Sequence, residues 1–473
     1  MKKILSLTLA VIMILSLCAC GGSGNAEPTE PETPQLEVGL GKVNITPTYS
    51  VGLGGSGNEK VRRSEGIASY IFANCLAFRQ NGEIYLVYSI DTLSVNDLLA
   101  DQLRVRILED IPELKPENIF LMATHNHSSP TPYWPDNEPE GKYRKEFFNW
   151  IPQAAKQALK DMAPATMEVT QFSVPGMNFV RHYIMNDGSY AGDQFGDASS
   201  GYKEQVYVPD DEMILVNFPR EGKDNILLVN WAAHPSNPYD ATIGYKNISA
   251  DHPGWCRDKL EELIGGGTKV VYFNGASGDL DFYNWNKEQN HGLLAKPYGE
   301  KLAEYAFQHY NELKPVEDTT FRTTTRDVVL TVEHELEHLL PQAMEISNLY
   351  KTTSDKKTAN QMAYEIGLSS CFHASAIVRR SKSGATEARE TSAIAIGPVG
   401  FVLVGYEMAS EHAMELKEAA PFDTVFIMSG NNRYLPREEA IDYHSYEGDT
   451  REYTREAGDY MVQQELEMLE LLK

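Results

Sequence analysis

The chain has 473 residues, 42% of them hydrophobic and 10% aromatic, with 67 acidic against 42 basic side chains and a formal net charge of −25. That composition belongs to globular proteins with enough apolar surface for a large core. It argues against nucleic acid as a partner, and against adhesion to anionic lipid headgroups, because so acidic a surface repels phosphate.

Residues 1–19 open with Lys2 and Lys3 and continue in the apolar run Ile4 to Leu17, which suits a secretion signal and is too short to span a bilayer. The run ends Leu17-Cys18-Ala19-Cys20, which resembles a bacterial lipoprotein cleavage box. Cys20 is therefore expected to become the lipidated first residue, and membrane attachment to come from that anchor. Residues 20–35 mix Gly, Ser, Pro and Glu with almost nothing apolar, and read as a flexible tether. Cys75, Cys256 and Cys371 remain, an odd and scattered set that argues against a disulfide framework.

From Leu36 to Lys473 neither a sequence repeat nor a second linker is evident, so residues 36–473 read as one large domain. Ile84 to Ile90 reads as a strand leading to Asp91 and a helix over Val95 to Leu108. Ile119 to Ala123 is a short buried strand, and Glu146 to Met162 has helical spacing. Ile226 to Ala233 is a strand ending at His234. Asp251-His-Pro-Gly leads into a helix over Trp255 to Leu263, and Lys269 to Phe273 is a strand ending in Asn274-Gly-Ala-Ser-Gly-Asp-Leu-Asp281. Ala393 to Val404 reads as a hairpin running into Glu407, with a helix over Met408 to Glu418. Such alternation favours an α/β domain with mixed sheets and flanking helices.

Chemistry-bearing groups recur just after the apolar strands. His125 and His127 follow Ile119 to Ala123, and an extended continuation would put both on one side, facing one cavity. His234, Asp279, Asp281 and Glu407 follow the other strands, and open α/β sheets gather their sites at strand ends. Taken alone, His234 is explained as a hydrogen-bonded loop histidine. Glu407 is harder to dismiss, because an unpaired buried carboxylate is costly.

His334-Glu-Leu-Glu-His338 competes for the metal, since it fits HExxH, in which two histidines one helical turn apart bind zinc. Its context argues against it. Arg326 to Val332 alternates like a strand running into the motif, Glu337 places a charge where such helices are apolar, and Pro341 follows closely.

From about Leu36 to Lys473 the chain resembles the neutral/alkaline non-lysosomal ceramidase family. The likeness rests on Gly41-Lys-Val-Asn-Ile-Thr-Pro47, Ala123-Thr-His-Asn-His-Ser-Ser-Pro130 and Asn178-Phe-Val-Arg181 with Asp187-Gly188. It continues through Ala233-His-Pro-Ser236, Ile248 to Gly254, Asn274 to Asp279, Gly405-Tyr-Glu407, Tyr434-Leu-Pro436 and Tyr446-Glu447, all in the family's order.

The resemblance implies a zinc ion held by His125, His234, Glu407 and Tyr434. It also implies that His127, Arg181 and Tyr446 line the substrate pocket, with Tyr446 facing the oxyanion and His127 assisting proton transfer to the leaving nitrogen. Zinc in such a site lowers the pKa of water to about 7. The chain departs from the family at Asp281, where ceramidases carry a serine discussed as catalytic, and is expected to lack the family's C-terminal immunoglobulin-like domain. The expectation is a lipid-anchored, extracytoplasmic zinc amidohydrolase that cleaves an N-acyl bond by metal-activated water. The alternatives keep the fold and metal but cleave an ester or another amide, or keep the pocket as a surface lipoprotein that binds a ligand without turnover.

Overall fold

The computed structural model describes residues 35–473 except 58, 60, 134–138, 237–238 and 431–432. The expected signal, Cys20 and most of the tether lie outside the described residues. Strands β1 (Glu37–Asn44), β2 (Phe72–Gln80) and β3 (Glu83–Ile90) run antiparallel to their neighbours, and β4 (Ile119–Ala123) lies parallel to β3. A parallel neighbour cannot be reached by a tight turn, so the chain crosses over through helix α1 (Asp97–Asp110). Helix α2 (Glu140–Lys160) joins α1 in covering the outer face of this sheet.

The same order of pairings occurs twice more. Strands β5 (Met167–Ser173), β6 (Glu212–Phe218) and β7 (Ile226–Trp231) are antiparallel, and α3 (Asp251–Ile264) leads to β8 (Lys269–Asn274), parallel to β7. Helix α4 (Ala295–His309) packs beside α3 over this sheet. Strands β9 (Phe321–Thr331), β10 (Thr386–Ile396) and β11 (Val399–Val404) are again antiparallel. Helices α5 (Leu340–Thr353), α6 (Lys356–Glu365) and α7 (Cys371–Arg380) are inserted between β9 and β10 around a small apolar core of their own. Helix α8 (Ser410–Ala419) then crosses to β12 (Thr424–Ser429), parallel to β11, and α9 (Glu438–Asp442) and α10 (Tyr446–Thr450) precede α11 (Ala457–Leu471).

The mixed α/β class expected from alternation is what forms, with three sheets sharing one core. Phe78 and Phe120 of the first sheet, Phe218 and Phe273 of the second, and Phe321, Phe401 and Phe426 of the third belong to one buried cluster. Phe78 meets Phe218 at 5.6 Å between ring centroids, and Phe273 meets Phe426 at 5.8 Å. Each such ring contributes about 1.5–3 kcal/mol by leaving water. The outer faces are covered by α1 and α2, by α3 and α4, and by α8 and α11. Strands buried on both faces read as continuous apolar runs, which is why Ile119 to Ala123 carries no polar residue.

The three parallel strand pairs also touch one another. Ser89 Oγ donates to Tyr272 O at 2.6 Å, joining β3 to β8, and Asn230 Nδ2 donates to Phe273 O at 3.1 Å and Ile427 O at 2.8 Å, joining β7 to β8 and β12. Their carboxyl ends therefore open on one place, although the strands come from three different sheets.

Local differences from the sequence reading have local causes. Helix α1 starts at Asp97 rather than Val95 because the Asn96 side chain accepts from Leu99 N at 2.9 Å, a cap that fixes the first turn. Helix α2 begins at Glu140, earlier than its apolar spacing announced, and tolerates Pro152 in its interior. The HExxH segment is not helical across its length. His334 is outside any helix and bonds Gly384 O at 3.2 Å, while His338 lies in a 3₁₀ turn, so its two imidazoles lack the spacing of one α-turn.

Candidate metal centre

Strand β4 is prolonged for one residue by Thr124 N donating to Ile90 O at 2.9 Å. The backbone then leaves extended geometry, since His125 adopts φ +63°. The expected extended path through His127 is thus replaced by a left-handed bend, and the two side chains converge by a different route. His127 Nε2 stands 3.4 Å from His125 Nε2. From β7, His234 brings its Nε2 to 3.1 Å from His127 Nε2. From β11, Glu407 places Oε2 3.3 Å from His125 Nε2.

These side chains are anchored at their backs. His125 Nδ1 donates to Leu93 O at 2.7 Å and His234 Nδ1 donates to Ser277 O at 3.1 Å. Carbonyl oxygens only accept, so each ring carries its proton on Nδ1 and turns a lone pair inward on Nε2. His127 is fixed through its backbone, whose N–H donates to Asp251 Oδ2 at 2.7 Å, while Arg62 Nη1 donates to its carbonyl at 2.6 Å. Burial, and then the proximity of His125, holds His127 well below the usual histidine range. Burial and Arg181 do the same to His234.

The donor set fits a zinc-sized ion. Tetrahedral bonds of about 2.0–2.1 Å require donor-to-donor edges of roughly 3.3–3.4 Å. His125 Nε2 and Glu407 Oε2 stand at 3.3 Å, His234 approaches the same oxygen at 3.9 Å, and His127 Nε2 borders the group at 3.4 and 3.1 Å from the imidazoles of His125 and His234. Glu407 Oε2 is buried and has no hydrogen-bond partner among the described residues. His125, His127 and His234 form the one group of potential metal-binding side chains among those residues.

Tyr434 pairs with Glu407 across a two-residue parallel bridge, so both point from the same face. Arg181 Nη2 donates to Tyr434 Oη at 3.3 Å. Tyr446 crosses the Tyr434 ring edge-on at 5.7 Å. His125, His127, Glu407, Tyr434 and Tyr446 all line one cavity of about 330 Å³.

The structure therefore brings together His125, His234, Glu407, Tyr434, His127, Tyr446 and Arg181. It also groups His127 with the two histidines expected to bind metal, where the resemblance set it apart as a substrate-facing residue. Asp281 lies one step back. Trp285 Nε1 donates to its Oδ2 at 2.7 Å, its Oδ1 is 3.8 Å from Arg181 Nη1, and burial pushes its carboxyl up to about 7.

Residues that sequence reasoning did not single out do much of the positioning. Glu447 Oε1 takes Arg181 Nε at 2.6 Å and its Oε2 bonds His182 Nε2 at 2.6 Å. Although burial opposes it, the charge of Arg181 wins and holds Glu447 down at about 2. Glu447 sits within the Tyr446-Glu447 motif, so its place was legible but its partner was not. Asp251 likewise sits within the Ile248 to Gly254 motif, whereas Arg62 carried no such signal. Gly278 permits a backbone approach here, because a Cβ on it would lie 2.8 Å from Glu407 O and 2.9 Å from Met408 O.

No family model matches the chain, and no curated protein matches it in sequence. In fold it is similar to the crystal structure of neutral ceramidase from Pseudomonas aeruginosa, with a TM-score of 0.67, 14% identity, and coverage of 93% of this chain and 75% of that one. A structure of ceramidase complexed with C2 gives the same TM-score, identity and coverage. The likeness establishes the fold of the described chain.

Proposed function

We propose that the chain is a zinc-dependent hydrolase of an N-acyl amide bond, held to the outer side of a membrane by lipid on Cys20. The observation that carries this reading is a cluster of three buried imidazoles beside a Glu407 carboxylate oxygen that is unpartnered among the described residues and 3.3 Å from His125 Nε2, with His125, His127 and Glu407 lining one cavity. The ceramidase fold supports the choice of an amide. His125, His234 and Glu407 would hold the ion, with Tyr434 beside them. When bound, zinc would polarise a carbonyl and make hydroxide available near neutral pH.

The remaining residues handle protons and position. His127 lines the cavity as a neutral imidazole, so it can take a proton and return it to the leaving nitrogen. Burial raises the Tyr446 hydroxyl, so it keeps its proton and can donate to a carbonyl oxygen as negative charge develops there. Arg181, locked by Glu447 and by Gly278 O at 2.7 Å, orients the Tyr434 phenol.

The test is an assay of the purified protein on matched N-acyl sphingosines, simple N-acyl amides and esters, before and after chelation. Amide cleavage that chelation abolishes and zinc restores is the expected result. Cleavage indifferent to chelation, or none on any amide, would refute the reading.

A further inference from the structure

The cavity has a wall that the hydrolytic reading does not use. Arg379 reaches it from α7 of the inserted helices, and Arg433 from the loop after β12. Arg379 Nε donates to Glu452, and its Nη2 donates to Thr450 O at 2.8 Å. Arg433 Nη1 stands 3.4 Å from Glu452 Oε1 and 3.6 Å from Glu387 Oε2, yet it is buried with no hydrogen-bond acceptor among the described residues. Glu387 is shared further, since Tyr453 Oη donates to its Oε2 at 2.9 Å. Two guanidiniums thus lean on Glu452. Burial and then the charge of Arg433 pull Arg379 down to about 10.

Building on the hydrolase reading, we propose that Arg433 and Arg379 form an anion subsite that selects N-acyl substrates carrying a carboxylate, N-acyl amino acids in chemical class, over neutral lipid amides. A guanidinium presents paired donors that match the two oxygens of a carboxylate, and Arg433 Nη1, although ion-paired at 3.4 Å with Glu452 and 3.6 Å with Glu387, completes a hydrogen bond with neither. In a chain with 67 acidic side chains, two arginines face this cavity against Glu407 as its only carboxylate among the described residues. A volume of about 330 Å³ lies at the small end of the roughly 300–1,000 Å³ typical of ligand sites. That suits a compact acyl amino acid better than a lipid with two long chains.

The test compares N-acetylglycine with its neutral carboxamide and with N-acetylethanolamine phosphate, in two assays on the full chain. In the zinc-loaded protein, kcat/KM should favour the carboxylate over the carboxamide at least tenfold. Arg433→Gln should bring that ratio towards one, and Arg433→Lys should restore part of it. In the chelated protein, calorimetric titration should show the carboxylate binding at least tenfold more tightly than the carboxamide, a preference that cannot come from ligation of the ion. Should Arg433→Gln fail to fold, Arg379→Gln reads the same ratios.

Equal handling of carboxylate and carboxamide by the wild type in both assays would overturn the proposal. So would preference for the phosphate. If no amide is cleaved but the chelated protein still prefers the carboxylate, the hydrolase reading fails and the subsite stands. If amides are turned over without any preference for the carboxylate, the subsite fails and the hydrolase reading stands.

Discussion

His125 Nε2 lies 3.3 Å from Glu407 Oε2, and the two arrive from strands of different sheets. No hydrogen bond joins the two atoms, because the His125 proton is committed to Leu93 O and Glu407 Oε2 has no donor among the described residues. A cation between them would satisfy both. Glu407→Gln, which keeps the shape and removes the charge, should therefore weaken zinc retention at least a hundredfold, read as zinc per chain after dialysis against a graded chelator. Loss of a ligand should exceed the 10–100-fold cost typical of its supporting partners.

His127 and Tyr434 are separated by the same measurement. Tyr434→Phe should lower zinc affinity, whereas His127→Ala should keep the metal and lower kcat by about 10²–10⁴, the usual worth of a positioned proton-transfer group. Metal loss in His127→Ala with full retention in Tyr434→Phe would exchange their roles.

Glu447 is expected to matter for folding as well as for the site. Removing one partner of a buried ion pair costs about 3–5 kcal/mol, so Glu447→Gln should fall within that range by urea denaturation. The sign of its pH dependence follows from its low value. Held at about 2 in the fold, against about 4.3 unfolded, Glu447 contributes stability that is present above pH 4.3 and is lost as pH falls towards 2.

Glu465 behaves in the opposite sense. It is fully buried in α11 with Tyr406 and Thr391 as partners, and burial pushes it up to about 8. Its folded value lies above the unfolded one, so its contribution is full below about pH 4.3 and fades as pH rises through 8. Wild type should lose more stability between pH 5 and pH 9 than Glu465→Gln, by urea midpoints. Equal losses would remove Glu465 as the titrating group.

Gly278→Ala should destabilise by about 1–3 kcal/mol, as forced contacts in packed regions do, and should weaken metal retention, because the added Cβ meets the backbone of Glu407 itself. Gly384→Ala meets only Thr386 O at 3.6 Å and is the matched control, expected to change neither.

The strands and their terminal residues were legible because buried parallel strands write themselves as unbroken apolar runs, and Ile119 to Ala123 is such a run from end to end. The ordered motifs, from Ala123 to Pro130 through to Tyr446-Glu447, marked residues that the fold brings together. The threefold recurrence of one connection pattern was not legible, since it is a repetition of pairing and crossover rather than of side chains. His127 joining the imidazole group was hidden by the positive φ of His125, which no spacing rule announces. Arg62, Arg379 and Arg433 were silent because their positions depend on carbonyls and carboxylates distant in sequence. His334 and His338 show the converse, a motif complete in letters and displayed on an exposed turn without its helix.

The most direct test is anomalous diffraction at the zinc edge from crystals of the purified protein. One peak bounded by Nε2 of His125, Nε2 of His234 and Oε2 of Glu407 is the predicted result. A map with no peak there, or with its peak beside His334 and His338, would contradict it.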